Sequence, residues 1–449
     1  GIEHGGTRVY ATPRRLAVVV DGVAEGRPEV QKEVLGPPES SAFKDGEPTK
    51  VAIGFARGKG VDVADLRVVD GPRGRVVAAL ITEGGESTRE RVASGLDGVV
   101  RGIGFRKSME WWSGGTRWAR PIHRVNAVYA GEAIYGEAAG VRVDNITVGH
   151  RLAEDTGFAF NDEASWLAGL RKRAVEPDLD ARKARVRELV LEGIAAVGGD
   201  PVVDEALLEE VTHLVEAPTL VRGAFDAELL ALPPRLLVKA MKAHQRYFPV
   251  TRDGALTEHF VVISNNPWGA HDPIAAGNAN VLRARFHDAQ FFFAEDQKKR
   301  LETHGLQLEK MRWIRGLGSM AAKAVRVAEL GQRLAGGMGA DPAKVHRAGE
   351  LCKSDLATLM VGEFPDLQGH MGRLYATAQG EDPTVALAIE EHYQPAGADD
   401  ALPTTAEGRT LTVAYEIPPL PGNGGGTTHR LAAGAENDAP TDTVLGTTE

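Results

Sequence analysis

The chain has 449 residues, 43% of them hydrophobic and 25% charged, which is a globular composition too long for one core; at roughly 150 residues per domain it implies two or three. A formal net charge of −10 and a single cysteine exclude a coat of basic residues for duplex binding, internal disulfides and a multi-cysteine zinc site, and they fit a reducing cytosol. No apolar run approaches the roughly 18 residues of a membrane span, and residues 1–30 lack a signal-peptide layout.

Gly1–Gly6 lead, without an initiator Met, into a strand-like Thr7–Tyr10, as if an earlier element were missing. Leu16–Val20 reads as a buried strand ended by Asp21-Gly22, and Gly36-Pro37-Pro38 as a rigid turn. Thr49–Arg57 is a short helix closed by Gly58, Arg75–Ile81 a strand, and Thr88–Val100 a helix ended by Gly102 and Gly104. Lys107–Arg120 interleaves Trp111, Trp112 and Trp118 with Lys107, Arg117 and Arg120 around a Gly-Gly turn. That pattern suits stacking on unpaired bases beside phosphates, but it is read first as an aromatic core with snorkelling arginines. Val125–Ala130 and Val141–Val148 are strands with Gly149-His150-Arg151 as a turn. Ser165–Val197 is a charged helical stretch broken near Pro177, mostly a solvated face.

In Pro233–Val250 the two prolines start a helix and Pro249 stops it. Leu237, Met241, His244 and Phe248 share one face, with His244 as a hydrogen-bonded core histidine at its edge. Arg235, Lys239, Lys242 and Arg246 form a stripe of cations on the outer face, able to follow a phosphate backbone. Phe260–Ser264 is a strand. Gly277–Arg300 is a helix with Leu282, Phe286, Ala289 and Phe293 buried and Arg283 and Arg285 flanking them; those arginines suit RNA contact or ordinary helix charge complementarity. Helices continue from Gly318 to Tyr393. Val345–Tyr375 is expected as two helices around a break at Pro365, and Pro383–Tyr393 as a helix capped by Asp382. After about Gly408 the character changes, and disorder is expected beyond about Glu416.

There is no phosphate-binding loop, H-E-x-x-H or nucleophile elbow. The His271-Asp272 and His287-Asp288 dipeptides match part of one metal-phosphohydrolase signature, with His271 placed in a loop; a working site would need further ligands from neighbouring helices.

The motifs Thr12-Pro13-Arg14-Arg15-Leu16-Ala17-Val18, Gly54-Phe55-Ala56, Lys107-Ser108-Met109, Arg120-Pro121-Ile122, Gly149-His150-Arg151, His244 to Val250, Asn280 to Arg285 and Gly362 to Gly369 come in one order over residues 7–408. Together they resemble the beta subunit of the bacterial two-subunit glycine–tRNA ligase. The resemblance implies an alpha2-beta2 enzyme that charges glycine tRNA, tRNA(Gly), in the cytoplasm, with no membrane partner. ATP, Mg and the catalytic core are expected in the separate alpha subunit. It assigns no catalytic residue, metal ligand or cofactor to this chain, whose part would be to hold tRNA through Lys107, Arg117, Arg120, Arg235, Lys239, Lys242, Arg246, Arg283 and Arg285. The fold class is α+β. The expected organisation is a mixed α/β body region over 1–150, an α/β region with basic amphipathic helices over 151–317, an all-helical degenerate HD-type domain over 318–408, and a disordered tail outside the family over 409–449. Pattern places the first HD histidine near Lys323 and the His-Asp dyad near Ser354-Asp355, leaving only Asp355 of those ligands and making Cys352 a small buried residue. Glu110 and His123-Arg124-Val125-Asn126 depart from the family pattern, as do the N-terminus and the tail. An HD-type metal phosphohydrolase and a free-standing RNA-binding module are the alternatives.

Overall fold

The computed structural model describes residues 2–72, 74–112, 115–154, 157–397 and 400–416, so the tail beyond 416 lies outside the described residues. The fold is α+β. One compact unit comprises the chain up to Arg222 with Arg246–Phe248 and Phe260–Ala275; the other comprises Gly223–Gln245, Pro249–His259 and the residues from Ala276 onward. Strands Thr219–Ala224, Phe248–Arg252 and Ala255–Ser264 form a sheet in which Ala255–Ser264 is central.

In the first unit, strands Thr7–Thr12 and Arg15–Val20 form an antiparallel hairpin around Pro13-Arg14. Alternation sends Tyr10, Ala17 and Val19 inward against Trp166, Leu170 and Val175 and leaves Val9 and Val18 exposed. Arg67–Gly71, Gly74–Glu83 and Val30–Pro38 form an antiparallel sheet with Gly74–Glu83 in the middle. Gly36-Pro37-Pro38 is not a turn but the end of the edge strand, with a bulge between Leu35 and Pro38. An edge position needs no ladder N–H from proline, and at Gly36 a Cβ would come within 2.6 Å of the Phe55 ring. Helix Lys50–Lys59 starts on the Thr49 side chain and runs past Gly58 to Gly60, whose φ of 68° closes it. Helix Thr88–Gly102 begins with a Ser87/Glu90 capping box. The strand expected over Val125–Ala130 is interrupted. Ala130 and Gly131, both at positive φ, turn Val128–Tyr129 back onto Glu132–Ala133.

Helices Glu163–Lys172 and Leu179–Ala195 flank the break near Pro177. Their charged pattern is not wholly a solvated face, because Arg182 is fully buried. Its guanidinium donates to the carbonyls of Glu176 (2.7 Å), Ala11 (2.8 Å) and Thr212 (3.1 Å), tying the helix to the N-terminal strand and to the end of helix Glu205–Thr212.

The helix His271–Gln297, which belongs to the second unit from Ala276 onward, buries Leu282, Phe286 and Ala289, with Phe293 stacked 5.6 Å from Tyr375. His271-Asp272 is the first turn of this helix rather than a loop. The helices Met320–Ala335, Pro342–Leu351, His370–Ala378, Pro383–Glu391 and Ala406–Glu416 pack around Val327, Val345, Ile389 and Leu411. Gly349 lets the first two approach closely, since a Cβ there would lie 2.5 Å from the Ala328 Cα. The last of these helices extends past the expected boundary at 408, with Leu411 and Ala414 buried.

Val345–Tyr375 holds more breaks than the two-helix expectation: 3-10 turns at Ser354–Ala357 and Pro365–Leu367 and a short helix Leu359–Glu363 lie between the longer helices. Buried carboxylates take the backbone N–H groups that these breaks release. Asp296 accepts from Leu359 and Met360, each at 2.9 Å, and Asp355 accepts from Gly369 (2.6 Å) and Gly372 (3.1 Å). Among the described residues, no helix is long and apolar enough to cross a membrane.

Candidate nucleic-acid interface

Lys107, Arg117 and Arg120 gather on one small hairpin of the first unit, where Met109–Glu110 pairs with Arg117–Trp118. Trp118 is half-buried with the Phe105 ring edge-on at 4.7 Å, as an aromatic-core reading requires. Trp111 and Trp112 remain 38% and 41% exposed. The Trp111 Nε1–H donates to the Trp118 carbonyl at 3.0 Å and Arg117 Nη2 to the Ser108 carbonyl at 3.0 Å, fixing the indole and tying the two strands together. Among the described residues, neither Lys107 nor Arg120 forms an ion pair, and both are exposed. The hairpin thus offers open indole surface beside unneutralised cations, the two components that unpaired RNA requires.

The cations of the second expected group are arranged differently. Pro234–Lys239 is α-helical, Ala240–Gln245 is a π turn, and Arg246 has a φ of 57° outside the helix. The wider turn breaks the spacing on which a single basic stripe depends. His244 is exposed, its ring edge-on to Phe364 with centroids 5.5 Å apart, and is not a core histidine. Arg235 pairs with Glu390 (2.6 Å), Lys239 with Asp366 (2.5 Å), Arg246 with Glu210 (2.7 Å), Arg283 with Asp226 (2.8 Å) and Arg285 with Glu363 (2.7 Å). Lys242 is half-buried within the π turn.

The acids in these pairs are what the sequence reading missed. Glu363, Phe364 and Asp366, from the Gly362–Gly369 motif, meet Arg285, His244 and Lys239 respectively, each from another motif or its flank. The signal was available as acids inside one motif matching cations in the others. Glu390 collects Arg235, His370 and Arg373; burial alone would raise its carboxyl, but these partners hold it below the usual range. Apart from those of the largely buried Glu390, the pairs are solvent-accessible, so each of them contributes little. Lys239→Glu is expected to lower unfolding free energy by about 0.5–1 kcal/mol, and adding Asp366→Lys to restore it, in urea titrations of the whole chain. A loss of RNA retention that the swap does not restore would instead place Lys239 on the RNA.

At the positions expected for HD-type ligands the structure places two buried lysines, Lys323 and Lys353. The Lys323 ammonium donates to the Tyr415 carbonyl at 2.8 Å and lies 4.4 Å from the Trp313 ring centre, while the Lys353 ammonium lies 3.7 Å over Tyr393 and 4.1 Å over Tyr415. Burial pushes Asp355 up to about 6 despite its backbone N–H donors and Lys353. Burial likewise pushes the Cys352 thiol up to about 11, so it is no thiolate nucleophile, and burial with the Lys353 charge drives His392 well below its ordinary value, keeping it neutral. Two ammonium groups oppose a divalent cation here, and the described residues contain no group of three or more His, Cys, Asp or Glu able to hold one.

The profile of the family described as Glycyl-tRNA synthetase beta subunit matches residues 1–423, beyond the boundary expected at 408. The chain is 41% identical over 416 residues to the glycine–tRNA ligase beta subunit of Geobacter sulfurreducens, covering 92% of this chain and 61% of that protein. It is 39% identical over 428 residues to that of Syntrophus aciditrophicus, covering 94% and 61%, and 37% identical over 422 residues to that of Acaryochloris marina, covering 92% and 59%. It spans about three fifths of the length of these curated relatives.

Proposed function

The chain belongs to the glycyl-tRNA synthetase beta-subunit family, and from that premise we propose that it binds and positions glycine tRNA for ATP-dependent glycylation by a separate alpha chain. The observation that carries this reading beyond family membership is the hairpin on which Trp111 and Trp112 stand exposed beside Lys107 and Arg120. Chemistry would stay with the partner, which would hold ATP and Mg and form the glycyl adenylate. This chain would contribute proximity and orientation by holding the acceptor end where acyl transfer takes place. A soluble cytoplasmic alpha2-beta2 assembly is part of the proposal.

The test mixes this chain with a glycyl-tRNA synthetase alpha chain. Glycylation is expected only in the mixture, and its absence with tRNA still retained would leave a free-standing RNA-binding module. The double variant Lys107→Glu/Arg120→Glu is expected to weaken tRNA retention. It should also flatten the plot of log affinity against log salt by about 1.5, at roughly 0.7–0.9 for each phosphate no longer neutralised. An unchanged slope would remove the hairpin from the interface.

A further inference from the structure

Two of the collinear motifs outside the hairpin, Thr12–Val18 and Gly149–Arg151, are brought together in the first unit. The Arg15 Nη2–H groups donate to the Val148 and Gly149 carbonyls at 2.8 and 2.6 Å, and the same guanidinium pairs with Glu216. Glu216 is fully buried and also accepts from the Thr12 hydroxyl at 2.6 Å. Asn265 Oδ1 accepts from the backbone N–H groups of Glu216 (2.9 Å) and Ala217 (3.0 Å) and lies 3.1 Å from His150 Nε2. Because His150 Nδ1 accepts from the Leu152 N–H at 3.3 Å, the ring proton is on Nε2 and is donated to Asn265. The turn at Pro13-Arg14 and the turn at Gly149–Arg151 are therefore locked to one polar hub.

What this hub presents outward is different in character. The Trp268 ring lies 5.5 Å from the buried His150 ring and is itself 55% exposed, with its backbone N–H held by Asn266 Oδ1 at 3.3 Å. Arg14 and Arg151 are exposed on the two locked turns, and among the described residues neither forms an ion pair. Arg14 is close enough for its charge to oppose protonation of His150, which burial already disfavours. An indole packed on the His150 ring, with one exposed guanidinium on the residue after His150 and another close enough for its charge to act on that ring, suits a flat base with phosphates nearby. Like Lys107 and Arg120, and unlike Arg235, Lys239, Arg283 and Arg285, both arginines stand without an acid partner among the described residues.

We infer that Trp268, Arg14 and Arg151 form a separate site for unpaired RNA, with the Trp268 face taking one base and the two arginines the flanking phosphates. The inference rests on the reading of the chain as an RNA-binding subunit. The probe is a single-stranded RNA pentamer, compared with the same strand in a duplex and with adenosine monophosphate. Trp268→Ala is expected to weaken pentamer binding about 5- to 100-fold, at roughly 1–3 kcal/mol per stacked base, with Trp268→Phe recovering most of it. Arg14→Gln/Arg151→Gln should lower the salt slope by about 1.4, at roughly 0.7 for each single-strand phosphate released. Unaltered thermal unfolding is expected for all three, because the changed side chains are exposed. Pentamer affinity that is the same in Trp268→Ala as in the parent, binding of the duplex as tight as of the single strand, or the mononucleotide binding as tightly as the pentamer would each overturn the site. Lys107→Glu/Arg120→Glu serves as the separating control. If it alone loses tRNA, this site fails and the wider reading stands; if the parent chain retains neither tRNA nor pentamer, both fail.

Discussion

Arg182→Met is expected to lower the unfolding free energy by about 3–5 kcal/mol, the range for removing one partner of a buried charged network. The side chain is fully buried, and its guanidinium serves the carbonyls of Ala11, Glu176 and Thr212. Methionine restores much of the apolar volume but none of the donors, leaving three acceptors without their partner in a region closed to water. Arg182→Lys should recover only part of the loss, since a single ammonium, lacking the guanidinium fork, cannot reach three diverging carbonyls. Urea unfolding of the full chain followed by tryptophan fluorescence should show a lower midpoint at constant slope. A loss below about 1 kcal/mol would mean that these carbonyls find other donors.

Asp296→Asn is expected to cost about 2–4 kcal/mol. The carboxylate is buried near the end of the helix His271–Gln297 and accepts from the N–H groups of Leu359 and Met360, at 2.9 Å each, and from the Tyr375 hydroxyl at 3.0 Å. Burial and the neighbouring Asp296 charge push the Tyr375 phenol well up, so it stays protonated and donates. Asparagine keeps one acceptor oxygen, and its NH2 then faces another donor, so a bond is exchanged for a repulsion. Tyr375→Phe, which removes a single bond, should cost about 1 kcal/mol. Hydrogen exchange at Leu359 and Met360 separates the two: the amide that faces the new NH2 should lose protection in Asp296→Asn, and both amides should keep it in Tyr375→Phe.

Much of the fold was legible because its determinants are local. The strand at Leu16–Val20, the capped helix Thr88–Gly102 and the Asp382-capped helix from Pro383 each announce themselves within a few residues. The family was legible because motifs far apart in the chain kept one order. What could not be read locally was any feature made by a distant partner. Val345–Tyr375 is broken where Asp296 reaches it from 63 and 64 residues away. Arg182 has the same sequence surroundings as its solvated neighbours, and only the carbonyl of Ala11, 171 residues distant, reveals its burial. At the candidate site the hairpin's composition was enough to mark Lys107, Arg117 and Arg120. The basic run Arg235–Arg246 was read without its acids, because Glu210, Asp366 and Glu390 belong to other elements. Trp268 stood in no motif and gained meaning only from its place on His150.

The cations that meet Glu363, Asp366 and Glu390 carry their counterions within the protein. A polyanion gains much of its attraction to a basic surface from the entropy of releasing small ions into solution. Where the resident anion is a tethered carboxylate, nothing is released: a phosphate can only displace it, and the two then repel. Such a surface is electrostatically non-stick. If the chain holds one RNA among many, as proposed above, it gains by keeping indiscriminate adhesion low there, and by confining open positive charge to places where bases can also be touched.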